Sequence, residues 1–258
     1  HYLRDVWKKT TEKDALIGVG MTGIASGAIM NYDLSSLAQI VKDTNSKVAK
    51  TLGINPAART TTVKPSGTTS CVLGTSSGIH AWHAPYYLRT IRFNTNEPIA
   101  QYLIANNPEL VEKDQLRPHD TICVRLPQRA PDTAIVRDTE STMDLLERVK
   151  LFNQEWVKKG HRSGNNTNNV SATISVKDDE WDMVGEWMWG NKEFFNGLSV
   201  LPYDGGTYVQ APFESITQEQ YENCLQKLKP IILEAVLEYD DLTEHTQELA
   251  CAGGMCSV

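Results

Sequence analysis

The chain has 258 residues, enough for one large domain or two small ones with a buried core. Hydrophobic residues make up 40% and charged residues 22%, as is typical of a soluble globular protein. The net charge of −7 excludes a diffuse basic surface for nucleic acid or an anionic membrane, and no apolar run approaches the roughly 20 residues that cross a bilayer. An anionic ligand must therefore be bound by local backbone dipoles.

The first residues are unusual for a chain start. His1 is not a Met, and the charged stretch up to Lys13 runs directly into the apolar segment that begins at Ala15. We therefore expect a fragment, a processed product or one half of a split protein. The segment Gly18-x-Gly20-x-x-Gly23 formally matches a dinucleotide-binding fingerprint, but no acidic residue follows at the required distance. This argues against a nucleotide-cofactor loop here.

Taken in chain order, the hydrophobic patterns predict strands that alternate with helices. The predicted strands are Leu16–Ile24, Thr60–Val63, Thr121–Leu126, Asn169–Val176 and Leu198–Leu201. The predicted helices are Leu34–Leu52, Pro98–Asn106, Thr142–Lys159, Asp178–Trp189 and Thr217–Leu242, the last bent or broken before Pro230. This alternation predicts an α/β fold with a mainly parallel sheet, which forms one body over residues 1–242 and is followed by a tail, residues 243–258.

The densest functional signal is the stretch from Arg59 to Cys71, RTTTVKPSGTTSC. It predicts a strand, a tight turn and then small hydroxyl residues suited to start a helix. Free N–H groups and hydroxyls at such a turn form an anion site, and Gly67 lets a phosphate approach the main chain. The alternative is an ordinary Ser/Thr-rich turn with capping residues.

A second Gly/Ser turn, Gly74–Gly78, follows almost at once and precedes His80 and His83. The two histidines are candidates for acid/base groups or metal ligands. A His-x-x-His pair without acidic or cysteine neighbours favours ordinary core or pocket histidines instead.

The chain ends with Cys251 and Cys256, which enclose four residues that include Gly253-Gly254. Two thiols on a mobile terminal arm indicate a redox shuttle that reduces one site and is recharged at another. The alternatives are two incidental thiols or half of a metal site. Five cysteines in all, without the spacing of a disulfide framework, indicate reduced thiols and a cytoplasmic location.

Three segments together resemble one known family. TVKPSGTTSCVLGTSSGIHAWHAPYYLR, NNVSATISV and GLSVLPYDGGTYVQAPFE, followed by the terminal Cys-x-x-x-x-Cys, are similar in content and order to the C-terminal half of an adenosylcobalamin-dependent (class II) ribonucleotide reductase. The resemblance runs from about Ala15 to the end. It implies the second half of a ten-stranded α/β barrel of the ribonucleotide reductase and glycyl radical type, in which thiyl-radical chemistry reduces the ribose 2′-carbon of a nucleotide.

The resemblance also implies roles for particular residues. The substrate di- or triphosphate would be bound by Pro65, Ser66, Gly67, Thr68 and Thr69. Cys251 and Cys256 would re-reduce a barrel disulfide and be renewed by a thioredoxin-like partner. The cofactor would be adenosylcobalamin, placed near Ser171–Ser175 and Leu198–Thr207, with no cobalt ligand assigned.

The chain also departs from the family. The family's radical cysteine, carried with an Asn and a Glu, and its reducible barrel pair have no counterparts here, so we expect an N-terminal half on a separate chain or left out of this one. Cys71, Cys123 and Cys224 are expected to be buried structural thiols, and Trp181, Trp187 and Trp189 to be core residues. Two other interpretations stay open: a class I large-subunit fragment, and a non-catalytic subunit that binds nucleotide phosphate or carries thiols.

Overall fold

A computed structural model describes residues 2–203 and 208–236. Its α-helices are α1 (Asp5–Asp14), α2 (Leu34–Leu52), α3 (Thr68–Val72), α4 (Pro98–Asn106), α5 (Thr142–Phe152), α6 (Trp181–Gly190) and α7 (Gln218–Lys227). Its strands are β1 (Tyr86–Asn94), β2 (Val111–Lys113), β3 (Thr121–Arg129), β4 (Thr173–Val176), β5 (Ser199–Pro202) and β6 (Phe213–Ser215). No helix within these residues is long and apolar enough to cross a membrane.

The described residues form two compact units. The first contains residues 2–82 and 139–203, and the second contains residues 83–138 and 208–236. Each has its own apolar core. The Cys251–Cys256 tail and Asp204–Thr207 lie outside the described residues.

The core of the first unit forms where α2, α5 and α6 cover β4. Leu146, Phe152 and Ile174 are completely buried in it, and each side chain contributes about 2 kcal/mol through the water it excludes. Helix α2 matches its predicted bounds because both ends are encoded locally. The Asp33 carboxylate accepts N–H bonds from the first turn, and Gly53 ends the helix in a left-handed conformation.

Extended segments of the first unit run parallel to one another. Val19 pairs with Thr61, Val63 pairs with Val170, and β4 pairs with β5 over four residues. The predicted parallel arrangement is therefore confirmed in this unit. The prediction of a continuous strand over Leu16–Ile24 is wrong, because pairing is confined to the residues around Val19 and the chain has entered a 3₁₀ turn by Ile24.

The segment 59–63 is also bonded to the end of α5. The Thr60 hydroxyl donates to the Gly160 carbonyl at 2.9 Å, and the Thr61 hydroxyl donates to the Trp156 carbonyl at 2.7 Å. These carbonyls lie in the turns that follow α5, and the Trp156 carbonyl also accepts the Gly160 N–H at 3.1 Å. α5 itself ends at Phe152 and continues as a π-helical turn over Asn153–Val157, which the prediction of a single helix to Lys159 did not include.

The parallel pairing of Val63 stops abruptly at Pro65. The Val63 N–H donates to the Asn169 carbonyl, and the Ser171 N–H donates to the Val63 carbonyl. Pro65 has no N–H with which to form the next rung. In a continued ladder that N–H would donate to the Ser171 carbonyl, and the Thr173 N–H would then donate to the Pro65 carbonyl. The Thr173 N–H instead donates to Nε2 of the buried His80 at 3.0 Å. An imidazole thus replaces a backbone acceptor at the end of the ladder.

The second unit contains a four-stranded antiparallel sheet in the order β2-β3-β1-β6. The prediction of a mainly parallel sheet is wrong for this unit, and β1 and β6 were not predicted at all. β3 extends past the predicted Leu126 to Arg129. α7 ends at Lys227, well before the predicted Leu242, and Leu228 is already extended.

The role of His80 gives a pH dependence of stability. Burial, assisted by the nearby positive charge of Arg148, lowers the pKa of His80 from 6.5 to about 4. Between these values the unfolded chain binds a proton that the folded chain does not. This group therefore stabilises the fold fully above pH 6.5 and loses its contribution as the pH falls toward 4, by up to about 1.4 kcal/mol per pH unit.

We expect His80→Gln to lower the free energy of unfolding at pH 7, and the difference from the unmodified chain to shrink as the pH falls from 6.5 to 4. Urea unfolding of both proteins at half-unit pH intervals measures this difference. The carboxylates titrate in both proteins, so their contributions cancel in the difference between the two free energies of unfolding. Parallel stability curves across the window would contradict the prediction.

Candidate functional site

The candidate site is the turn that follows the segment 59–63, at the end where the parallel chains finish. Loops beyond the carboxyl ends of parallel strands commonly bind ligands, because several loops meet there. Thr22, which follows the neighbouring segment around Val19, contacts this turn through its hydroxyl, which is hydrogen-bonded to the Ser66 hydroxyl. The fold thus brings residues from two successive segments together at one place.

The turn has a defined geometry. The Thr69 N–H donates to the Ser66 carbonyl at 3.0 Å, and Gly67 has φ 48° and ψ −123°. These are the features of a type II′ turn with glycine at its first central position, a conformation that residues with a side chain rarely adopt. A Cβ added at Gly67 would meet no atom within 4 Å, so the space beside this residue is open.

Two consecutive backbone N–H groups converge on one oxygen atom. The N–H groups of Ser66 and Gly67 both point at Oγ of Ser77, at 3.2 and 3.3 Å. Successive N–H groups that share one focus form an anion-binding concavity. The backbone therefore already has the donor arrangement that a phosphate oxygen requires.

The second Gly/Ser turn packs directly on the first. The Gly78 N–H donates to Oγ of Ser66 at 3.1 Å and to Oγ1 of Thr22 at 3.0 Å. A Cβ on Gly78 would lie 2.6 Å from the Lys64 carbonyl, so glycine is required for this close approach. The short spacing between the two turns in the sequence is thus explained by their direct contact.

Gly23, the last glycine of the Gly18-x-Gly20-x-x-Gly23 segment, packs against the second Gly/Ser turn. It has φ 72°, and a Cβ there would lie 2.2 Å from the Thr75 hydroxyl. Two 3₁₀ turns, Ile24–Ser26 and Ala28–Asn31, follow it before α2.

The predicted phosphate-binding residues therefore lie together on one accessible turn. Pro65, Gly67 and Thr69 are exposed, Ser66 is half-buried, and Thr68 begins α3. α3 is only five residues long, so its dipole is small, and the convergent N–H groups of the turn provide the donor geometry. The sequence analysis did not identify Ser77 and Thr22 as parts of the site. In the sequence, the second Gly/Ser turn pointed to the region of Ser77, whereas no pattern pointed to Thr22.

The two histidines have ordinary structural partners. In His80, Nε2 accepts from the Thr173 N–H, so the ring proton is on Nδ1, which donates to the Ser77 carbonyl at 3.1 Å. His83 stacks on Phe213, and burial lowers its pKa. His80 is buried and His83 is half-buried, and the described residues contain no cluster of three or more metal-ligating side chains.

The thiols within the described residues differ from one another. Cys123 is fully buried, and burial together with a bond to the Asp114 carboxylate raises its pKa to about 11. Cys71 is exposed and Cys224 is half-buried, and all three are free thiols. The prediction of buried structural thiols is therefore confirmed for Cys123 and wrong for Cys71. Cys251 and Cys256 lie outside the described residues.

The segments assigned to the corrin ring present one open face. Ile174 and Val176 of β4 point into the core, whereas Thr173 and Ser175 point the other way and pair with the exposed Ser199 and Leu201 of β5. On this face Thr173 and Ser175 are half-buried, and Ser199 and Leu201 are exposed, so small hydroxyl and apolar side chains are accessible there.

Among the tryptophans of α6, Trp187 is buried as predicted, and its indole N–H donates to Glu147. The prediction of a core position is wrong for Trp181 and Trp189, which are 41% and 77% exposed. The end turns of α6 place both indoles away from the core.

Comparison with known proteins gives a consistent result. No protein-family model matches the chain. Adenosylcobalamin-dependent ribonucleoside-triphosphate reductases do match: that of Lactobacillus acidophilus is 26% identical, covering 100% of this chain and 38% of the relative. The enzyme of Lactobacillus leichmannii is 30% identical over 87% of this chain and 30% of its own length, and that of Euglena gracilis is 28% identical over 97% and 35%.

The fold agrees with the sequence comparison. The crystal structure of a B12-dependent (class II) ribonucleotide reductase superposes with a TM-score of 0.74 and 26% identity, covering 88% of this chain and 35% of that one. The chain spans only about a third of the length of these relatives. Over most of its own length, it is a homologue of the adenosylcobalamin-dependent class II ribonucleotide reductases.

Proposed function

We propose that this chain is part of a ribonucleotide reductase that converts ribonucleotides to 2′-deoxyribonucleotides by thiyl-radical chemistry. The observation that carries the proposal is the pair of N–H groups at Ser66 and Gly67, which converge on one oxygen beside an open space. The homology supplies the reaction class. In this proposal the parallel segments of the first unit belong to the second half of the barrel.

The turn would bind the substrate's di- or triphosphate. The N–H groups of Ser66 and Gly67, which donate to the Ser77 hydroxyl, would each be shared with a phosphate oxygen, and the exposed Thr69 adds a hydroxyl. Pro65 fixes the entry to the turn, and Thr68 fixes its exit into α3. Neutral donors at a convergent turn bind an anion despite the net charge of −7.

The terminal dithiol would deliver the electrons. Cys251 and Cys256, as thiols, would give two electrons and two protons to a disulfide left in the barrel by each turnover, and would themselves become a disulfide. A thioredoxin-like dithiol would then reduce the tail pair. This exchange requires the reducing environment of the cytoplasm.

The remaining catalytic groups would come from a partner, the N-terminal half of the reductase. The chain's own surface supports this assignment. Leu16, Ile17 and Val19 are 49%, 40% and 40% exposed on the first of the parallel segments, and α1 has no buried residue. An exposed apolar edge of this kind is normally covered by another segment.

The open face of β4 and β5 would hold adenosylcobalamin. Ser175, Ser199 and Leu201 are the side chains that would line it. When bound, this cofactor supplies a radical by homolysis of its cobalt–carbon bond. The role of the chain's residues would be to position the ring and to exclude water from it.

The phosphate assignment predicts a specific loss of binding in Gly67→Ala. A side chain at φ 48° strains the turn by about 1–2 kcal/mol. This strain shifts the Gly67 N–H away from Oγ of Ser77. We expect the affinity for pyrophosphate and for a ribonucleoside triphosphate to fall at least about tenfold, as measured by titration calorimetry.

Gly53→Ala is the matched control. Gly53 also has a positive φ, 69°, and open space around it, but it ends α2 and lies outside the loop cluster. Both variants should lose similar stability, and only Gly67→Ala should lose affinity. Equal affinity in the two variants would exclude the turn as the phosphate site.

The cofactor assignment predicts a spectroscopic change. When adenosylcobalamin and a ribonucleotide are added to the chain combined with the proposed N-terminal half, the visible absorption of the cobalamin should change. The chain alone with the cofactor is the control for non-specific binding. An unchanged spectrum in the complete mixture would contradict a class II enzyme and favour the class I interpretation.

The tail assignment predicts that the effect of Cys251→Ser depends on the reductant. Thioredoxin-driven turnover of the combined halves should be abolished, whereas turnover with a small dithiol should persist, because a small dithiol reaches the barrel directly. Cys224→Ser, which changes the half-buried thiol of α7, should retain both activities. Equal loss with both reductants in Cys251→Ser would refute the shuttle.

A further inference from the structure

The hydroxyl of Ser77 is the acceptor on which both turn N–H groups converge. A serine oxygen has two lone pairs and one proton. The N–H groups of Ser66 and Gly67 occupy the lone pairs, at 3.2 and 3.3 Å. The O–H proton is left to donate, and it has no acceptor within the described part of the chain. Ser77 is half-buried, so the hydroxyl remains within reach of a ligand.

The backbone of Ser77 is held by His80. The Ser77 carbonyl accepts the backbone N–H of His80 at 3.0 Å and its Nδ1–H at 3.1 Å. The other ring nitrogen of His80 accepts from Thr173 of β4. The imidazole thus connects the second turn to a core strand, and this fixes where the Ser77 hydroxyl lies.

The segment between these residues is also anchored from α5. Arg148 is 6% exposed, and its Nε donates to the carbonyl of the fully buried Ile79 at 3.2 Å. The charge of Arg148 is balanced by Glu140, with which it forms a buried ion pair. Arg148 therefore stabilises the segment that carries Ser77.

We infer that Ser77 is a further phosphate-contacting residue, which donates its hydroxyl to a phosphate oxygen of the substrate, and that His80 is the residue that positions it. The inference rests on the proposed function of the turn and extends it to the second Gly/Ser loop. The N–H groups of Ser66 and Gly67 hold the Ser77 oxygen in place, so the direction in which its O–H points is set before the ligand binds. Such preorganisation raises affinity because little ordering remains to be done on binding.

The test is titration of the unmodified chain and its variants with pyrophosphate. Ser77→Ala should weaken binding about tenfold, because a hydrogen bond to a charged group is lost. Ser77→Thr, which keeps the hydroxyl, should restore most of the affinity. Ser76→Ala is the matched control, since Ser76 is the adjacent serine and its buried hydroxyl has no partner within the described residues.

Two variants of His80 separate its two hydrogen bonds. In His80→Asn the side-chain amide nitrogen lies where Nδ1 lay in the histidine, so it can still donate to the Ser77 carbonyl. The affinity for pyrophosphate should therefore stay within about twofold. The amide of His80→Gln reaches the level of Nε2 and can serve Thr173 instead, so affinity should fall several-fold. Unfolding measurements on both variants separate this pattern from general destabilisation. If His80 were purely structural, the loss of pyrophosphate affinity in each variant would follow its loss in free energy of unfolding.

The outcomes distinguish the inference from the proposed function. If the unmodified chain binds pyrophosphate and Gly67→Ala weakens that binding, but Ser77→Ala binds equally or more tightly, Ser77 only fills the concavity and the inference is wrong. If the unmodified chain does not bind pyrophosphate at all, both are overturned.

Discussion

The parallel ladder that begins at Val63 ends at Pro65, which has no N–H group, and the candidate site begins where the ladder ends. The parallel ladder between Val63 and the segment before β4 cannot continue past proline, so the chain leaves the sheet and turns at Gly67. The half-buried Thr173 N–H, next along the ladder, then needs another acceptor. The second turn returns to supply one through His80. The ladder thus ends where the two Gly/Ser turns meet, and His80 of the second turn takes the next donor along β4.

The same break explains how an acidic chain can present an anion site. Residues 66 and 67 leave the ladder with their N–H groups directed away from any strand, and both reach Ser77. Arg148, the buried cation that bonds the Ile79 carbonyl, is paired with Glu140. The proposed binding would therefore depend on neutral dipoles held at fixed directions. Such a site loses little to salt screening, since its strength comes from short contacts and not from a long-range field.

The features predicted correctly from sequence are those encoded by neighbouring residues. Helix α2 has its cap at Asp33 and its stop at Gly53, and the tight turn before α3 has its proline and glycine in one short run. The antiparallel sheet was missed because β1 is rich in polar residues and pairs with a distant strand, so alternation alone did not reveal it. The role of His80 could not be predicted, since its partner Thr173 is 93 positions away.

The open edge around Val19 lies next to the phosphate turn, and this places the proposed partner. Thr22 follows that edge within three residues, and its hydroxyl contacts both Ser66 and Gly78. If a strand from the N-terminal half paired with the exposed side of residues 17–19, it would add one more parallel segment at this edge. Its carboxyl end would then emerge beside Thr22, within reach of a nucleotide whose phosphates lie on the turn. In the proposed assembly, an edge that invites unwanted pairing in an isolated chain would become the contact that brings the partner's catalytic groups to the substrate.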